Sequence, residues 1–435
     1  MKMKYNQLRD RCFNEGVKYP KYQVNNIEEE IFERNICYRK NDEIVFNFVG
    51  FLIINNEVII VFPKTYSIPD RNEELKKHIK LLAGVLLKYR NEGSLSEEEK
   101  ELLGNPDKNK YANRIAAALL LIKDFRENGF VRREKKDNRI NAGNNIDWAR
   151  TVKEKPPYFS NNTPYYIDMI VRHSRIDYMN MLFLLHKYSV NMSFKKFGWI
   201  LGEGNYKSNL GISKMPCDVY LADHILNKEM QKTFVHREIN LIKSIREFIL
   251  GSAEDEIKSK IDIFGTCYFH HIWEKMCGNI FNNEYTQLKK YIPRPVWRLS
   301  SNNSSTNYRN QIPDILFKDS IKSKLYILDA KYYNVNSSLP GWHDLVKQFY
   351  YYYSINQHSD ILELENILVF PGIIRDGYIF KYYGFVEIEN YSSLGRVDAC
   401  ILDIRVTMES YLNNIPIKDL REKLVKCISI HNNGV

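Results

Sequence analysis

Asp314, Asp329 and Lys331 lie on two short apolar runs, Ile312-Pro313-Asp314-Ile315-Leu316-Phe317 and Leu325-Tyr326-Ile327-Leu328-Asp329-Ala330-Lys331. Carboxylates are hard oxygen donors that hold divalent cations, and a compact ammonium beside them orients a water or neutralises a phosphate oxygen. Phosphodiester hydrolysis asks for an in-line water, a lowered pKa on that water, and positive charge against the transition state. Two acids sharing a magnesium ion, with Lys331 close by, would meet those needs. Solvated charges on an exposed hairpin would show the same letters, so the surrounding elements have to decide.

For this chemistry the two runs must form a hairpin. Both are rich in β-branched and aromatic residues, and the polar stretch Lys318 to Lys324 has the composition of a turn. Alternation along the second strand sends Ile327, Asp329 and Lys331 to one face and Tyr326, Leu328 and Ala330 to the other. Acid and lysine then share a face, and Asp314 must reach it from the partner strand.

Helices are expected on either side. Upstream, Phe264 to Met276 reads as a mostly apolar helix in which Phe269, Trp273, Met276 and Ile280 recur at helical spacing, with Glu274 beside the stripe as a third metal ligand or water-positioning acid. His270 and His271 precede it, but without HExxH order or a further ligand they read as packing residues. Downstream, a helix begins after Pro340-Gly341 and puts Asp344, Gln348 and Tyr352 on one face. Gln348 and Tyr352 would bond phosphate oxygens or the catalytic groups; the bland alternative is a solvated stripe, with Phe349, Tyr350 and Tyr353 in the core. Between helix and hairpin, Arg294 and Arg298 flank Trp297 and are candidate DNA contacts, although a packed tryptophan explains the same letters.

The order helix, strand, strand, helix, strand (Ile367-Leu368-Val369-Phe370) builds a compact α/β layer around one site. It resembles the PD-(D/E)xK nuclease superfamily over roughly residues 255 to 410. With the pair Phe46-Leu52 and Val58-Lys64, the stretch Ile146-Val152 and Ile272-Trp273-Glu274 added, the chain resembles the LlaJI family of restriction endonucleases, relatives of McrC. That resemblance implies a magnesium-dependent (or manganese-dependent) DNA endonuclease of an anti-phage restriction system, acting on double-stranded DNA with a McrB-like AAA+ GTPase and with room for pairing of two nuclease domains. It places the catalytic acids and lysine on Asp314, Asp329 and Lys331, the helix acid on Glu274 and the glutamine on Gln348, with Glu274, Asp314 and Asp329 as metal ligands. The alternative is an assembly subunit that activates the GTPase while cleavage is secondary or absent.

Composition agrees. The 435 residues are 44% hydrophobic and 27% charged, as in globular proteins. Lys plus Arg exceed Asp plus Glu by 63 − 53 = 10, which favours a polyanionic partner. No apolar run approaches a membrane span, and the start, Met1-Lys2-Met3-Lys4-Tyr5-Asn6, has no leader character, so the cytoplasm is expected. Seven cysteines, never spaced as CxxC, argue for reduced thiols rather than a zinc module.

The expected fold class is mixed α/β (α+β), with an amino-terminal docking module over 1–240 and the nuclease domain over 241–435. Within the first part, 1–70 reads as β-rich with a hairpin turning at Asn55-Asn56-Glu57, and 73–130 as helical with Ser96 as an N-cap. Arg132 to Lys136 reads as an exposed basic run, solvated surface in the favoured reading and a grip on phosphates in the alternative. Residues 137 to 165 read as irregular, followed by helices over 175–198 and from about Asp223 to Lys260. Arg150 is a candidate arginine finger, with a structural salt bridge as the alternative.

Overall fold

The structure, a computed structural model, describes residues 8–24, 29–55, 57–92, 95–104, 112–142, 145–203, 212–254, 261–293, 296–298, 305–307, 312–319, 324–358, 363–374, 377–415 and 419–432. Elements are mixed α and β, as the patterning predicts. Arg294 and most of the Asn-Ser-rich loop 301–310 lie outside the described residues.

The chain packs as two compact units, one formed by Pro106–Trp199 with Glu203–Lys258, the other by Lys2–Asn105 with Ile200–Gly202 and Ser259–Val435. Neither unit is one continuous stretch of sequence. The cause is a long-range pairing: strand Ile261–Thr266 joins strand Val49–Ile54 antiparallel, from Ile261↔Ile54 to Thr266↔Val49. The resulting sheet has the order Cys12–Asn14, Glu57–Phe62, Val49–Ile54, Ile261–Thr266. Gly50 and Gly265 face each other in that pairing, with the Phe48 ring against both. A Cβ on Gly50 would lie 2.3 Å from the Phe264 carbonyl oxygen, so the close approach requires glycine.

The expected strand Phe46–Leu52 is interrupted at Asn47 and Phe48. Glu43–Phe46 belongs to a separate three-stranded sheet with Lys18–Pro20 and Cys37–Lys40. Asn55, at φ 50°, begins the expected turn between Val49–Ile54 and Glu57–Phe62. Downstream, helix Glu97–Leu103 starts with a full capping box: Ser96 Oγ accepts the Glu99 N–H and the Glu99 carboxylate accepts the Ser96 N–H.

The second sheet of this unit positions the site. Its order is Ile315–Asp319, Lys324–Ala330, Glu363–Gly372, Arg396–Asp403, Phe380–Glu387. The first pair is the predicted hairpin, antiparallel from Ile315↔Leu328 to Asp319↔Lys324. Lys324–Ala330 then pairs parallel with Glu363–Gly372, and helix Trp342–Ile355 makes the crossover between them. Helix Phe269–Ile280 starts later than expected, because Phe264–Thr266 belongs to strand Ile261–Thr266, and it buries Phe269, Ile272, Trp273, Met276 and Ile280, as its periodicity predicts.

In the other unit the region read as irregular has structure. Glu134–Ile140 pairs antiparallel with Ile170–Ile176, helix Trp148–Glu154 starts on the Asp147 cap, and Tyr158–Ser160 forms a hairpin with Thr163–Tyr165. Charge-rich strands hide from a reading based on apolar alternation, because both faces of Glu134–Ile140 are mostly exposed. Helix Met181–Phe197 starts later than expected, and the stretch from Asp223 divides into Val219–Gln231 and His236–Glu254. The basic run is not simply solvated surface, since Arg133 makes a forked pair with Glu238 at 3.0 and 2.9 Å. No described helix is long and apolar enough to cross a membrane.

Candidate active site at the end of the five-stranded sheet

Asp314 sits in the bend just before strand Ile315–Asp319, one residue outside the ladder. Its Oδ2 accepts the Ala330 N–H at 2.8 Å, and its backbone carbonyl accepts the Asn283 Nδ2 at 2.7 Å. The carboxylate therefore substitutes for the missing ladder partner and is fixed at the sheet end. Asp329 is fully buried on the face shared with Ile327, beneath helix Trp342–Ile355. Lys331 follows the strand, its N–H donating to the Val369 carbonyl of the neighbouring strand at 3.0 Å. The Lys331 ammonium stands 2.8 Å from Asp329 Oδ2 and 3.2 Å from Asp344 Oδ1. The acid and lysine expected on one face are together there.

The crossover helix supplies the other side. Asp344 also accepts the Tyr333 hydroxyl at 2.9 Å, so both of its oxygens are engaged. Lys347 Nζ lies 3.5 Å from Asp329 Oδ1, giving that carboxylate a second ammonium. Gln348 is fully buried, and neither of its amide atoms has a hydrogen-bond partner among the described residues. Tyr352, a candidate DNA contact from the sequence, is half-buried against the Leu316, Leu325 and Tyr351 cluster, its ring close over Gly395. Its ring is committed to packing. The alternative of a core made by Phe349, Tyr350 and Tyr353 does not hold: Phe349 and Tyr351 are buried, while Tyr350 and Tyr353 are about half exposed.

Glu274 is half-buried on the helix packed against the opposite face of the hairpin, where the Trp273 indole N–H reaches the Val369 carbonyl at 3.4 Å. Burial raises its pKa, and the Asp329 charge adds to this, while His271, Lys331 and Lys347 oppose it. The Asp314 carboxyl is pushed up to about 7 by burial and by the charges of Asp329 and Glu274. Glu274, Asp314 and Asp329 therefore share one electrostatic environment. At Lys331, burial works against the charge, but the carboxylates of Asp329 and Asp344 outweigh it and hold the ammonium above its ordinary range. Of the neighbouring histidines, His271 has its Nδ1 3.2 Å from Glu99 Oε1 and its ring stacked on Tyr268, while His270 is exposed.

The site opens into a cleft of about 610 Å³ lined by Lys64, His270, Glu274, Lys331, Asn334 and Asp344 among others. A second cleft of about 650 Å³ runs along Lys331, Trp342, Lys347 and Tyr350. Among the described residues no three His, Cys, Asp or Glu side chains are grouped as they stand to hold a metal ion. The oxygen donors are nonetheless of the type a hard cation takes, and the Gln348 amide on the crossover helix is a buried polar group without a bond among the described residues. Arg298 ends strand Val296–Arg298, paired with Ser305–Asn307. Arg150 is far from buried, with Glu154 at 3.9 Å as its ion-pair partner.

Sequence reading missed Lys347. The signal was available, because Lys347 follows Asp344 by three positions and so shares its helical face. It also missed Glu15 and Lys64, whose approach to Tyr332 depends on long-range packing and leaves no local trace.

The component YdjA of the type II restriction enzyme BsuMI, from Bacillus subtilis (strain 168), is 29% identical over 401 residues, which cover 88% of this chain and 84% of the relative. A chain of the solved assembly of Thermococcus gammatolerans McrB AAA+ hexamers with bound McrC is similar over 93% of this chain and 98% of its own length, with a TM-score of 0.43 and 11% identity. The profile of the LlaJI restriction endonucleases matches residues 48–405, which is most of the sequence, and the chain belongs to that family.

Proposed function

We propose that this protein is the magnesium-dependent DNA endonuclease subunit of a restriction system, with a PD-(D/E)xK-type centre formed by Asp314, Asp329, Lys331, Glu274 and Gln348. The observation that carries this reading is the Lys331 ammonium held between Asp329 and Asp344 at the rim of a cleft that also receives Glu274. Membership of a restriction endonuclease family supports it.

Asp314 and Asp329, with Glu274 at the edge, are the residues that would hold the cation. Bound there, magnesium (or manganese) would acidify a water and offset charge on the phosphate. Lys331 is a poor general base, because its surroundings keep it protonated. Its role is to orient the water and to place positive charge against a phosphate oxygen. Lys347 adds a second ammonium beside Asp329. Glu274, whose carboxyl is raised by burial and by Asp329, is the group suited to take a proton from the attacking water. Gln348, buried and unpartnered, is suited to a hydrogen bond with the phosphate or the water.

Double-stranded DNA as substrate, pairing of two nuclease domains and a McrB-like AAA+ GTPase partner are part of the proposal. The last rests on the sequence resemblance. The test is incubation of purified protein with magnesium and methylated or unmethylated plasmid, with and without a McrB-like GTPase and GTP. Cleavage that disappears in Lys331→Met supports the nuclease reading. Stimulated GTP turnover without cleavage in any mixture would instead favour the activator reading.

A further inference from the structure

The residue that follows Lys331 is gripped by the amino-terminal sheet. Tyr332 is 8% exposed, and its hydroxyl donates to Glu15 Oε2 at 2.7 Å while accepting the Lys64 N–H at 2.8 Å. Glu15 is itself 4% exposed, and its other oxygen faces the Lys64 ammonium at 3.7 Å. The same ammonium lies 4.9 Å from the centre of the Tyr332 ring, whose other neighbour is Phe269 at 5.3 Å. Every hydrogen-bonding capacity of the tyrosine oxygen used here goes to the amino-terminal sheet.

That grip is built rather than incidental. Glu15 and Lys64 lie just past the ends of adjacent parallel strands, Cys12–Asn14 and Glu57–Phe62, and the Glu15 N–H donates to the Phe62 carbonyl at 2.9 Å. Asn14 ties the same loop by donating to the carbonyls of Pro63 and Tyr66 at 3.1 and 2.9 Å. A buried carboxylate is costly unless it is bonded, and this one spends its bonds on Tyr332 and Lys64. Lys64 also lines the cleft with Lys331 and Glu274. The sheet thus holds the Tyr332 side chain from one side, while the backbone N–H of the adjacent Lys331 is held by the Val369 carbonyl from the other.

We infer that Glu15 and Tyr332 are positioning residues for Lys331, so that the amino-terminal sheet sets the placement of the catalytic ammonium. The inference rests on the nuclease reading of the site. Steady-state plasmid cleavage with magnesium, a McrB-like GTPase and GTP, using the full chain, tests it with Tyr332→Phe, Glu15→Ala, Glu15→Gln and Lys331→Met. Tyr332→Phe and Glu15→Ala are expected to lower kcat tenfold or more with KM within twofold. Glu15→Gln, which keeps an acceptor for the tyrosine hydroxyl, recovers most of the rate. If Glu15→Ala fails to fold, Tyr332→Phe, which lacks a single oxygen atom, carries the test. Absence of cleavage by the unsubstituted protein, or full cleavage by Lys331→Met, would remove the nuclease reading and this inference with it. Cleavage lost in Lys331→Met but undiminished in Tyr332→Phe, or a fall in melting temperature with kcat unchanged, would overturn the positioning role alone.

Discussion

The Asp314 carboxylate accepts the backbone N–H of Ala330 at 2.8 Å, closing a hairpin whose ladder stops one residue earlier. One side chain thus serves the sheet and the proposed chemistry at once. Asparagine keeps an acceptor oxygen in the same place, so Asp314→Asn is expected to fold normally and to cleave at least about 100-fold more slowly. Asp314→Ala should add a stability loss of about 1 kcal/mol from the orphaned N–H. Thermal melting set beside plasmid cleavage for both variants checks this; equal cleavage by wild type and Asp314→Asn would contradict the assigned role.

Gln348 predicts the opposite sign for stability. A buried amide without partners is a cost to the fold, and an apolar side chain of similar volume removes it. Gln348→Leu should raise stability by about 1 kcal/mol, a melting shift of a few degrees, while lowering cleavage at least about tenfold. A destabilised variant would mean that the amide is bonded in solution.

In the other unit, His186 is fully buried and its Nδ1 accepts the Val131 N–H at 3.2 Å, which requires the neutral ring. Burial, the largest influence, holds its pKa at about 4, below the ordinary 6.5. Between those values the unfolded chain binds more protons, so stability is full above about pH 6.5 and is lost as pH falls toward 4. The loss is of order 3 kcal/mol. His186→Asn, which offers an oxygen to Val131 but does not titrate, should flatten that part of the pH–stability curve in denaturant titrations. An unchanged slope would assign the acid sensitivity elsewhere.

Gly265 meets Gly50 across the strand pairing that brings Ile261–Thr266 into the amino-terminal sheet. A Cβ on Gly265 would come within 2.3 Å of both the Phe48 ring and the Val49 carbonyl oxygen. Gly265→Ala is expected to cost about 3 kcal/mol or more. Cleavage should fall with it, because the strand runs directly into the helix that carries Glu274. Circular dichroism melting and cleavage measured together would show the loss; a variant as stable as wild type would refute the close packing.

What the sequence made legible was local. The hairpin around Asp329 could be read because its apolar runs alternate and its linker is polar, and the helix of Glu274 because its stripe is periodic. The inward face of helix Trp342–Ile355 was harder. Six aromatic residues from Trp342 to Tyr353 offer no polar contrast, so the letters do not separate the buried Tyr351 from the half-exposed Tyr350 and Tyr353. Lys347 was overlooked because a lone lysine on a helix reads as solvated until a buried carboxylate is placed opposite it. The edge strand Ile261–Thr266 was invisible for a different reason: its partner is some 200 positions away in the chain, and nothing in either segment names the other.

That strand also limits how the protein can be divided. A fragment starting at residue 241 would contain every proposed catalytic group and yet expose an edge meant for Val49–Ile54, inviting self-association, and it would leave the Tyr332 hydroxyl without its acceptor. Shuffling of the cleaving part onto other proteins, in the laboratory or in evolution, would have to carry the first hundred residues along with it.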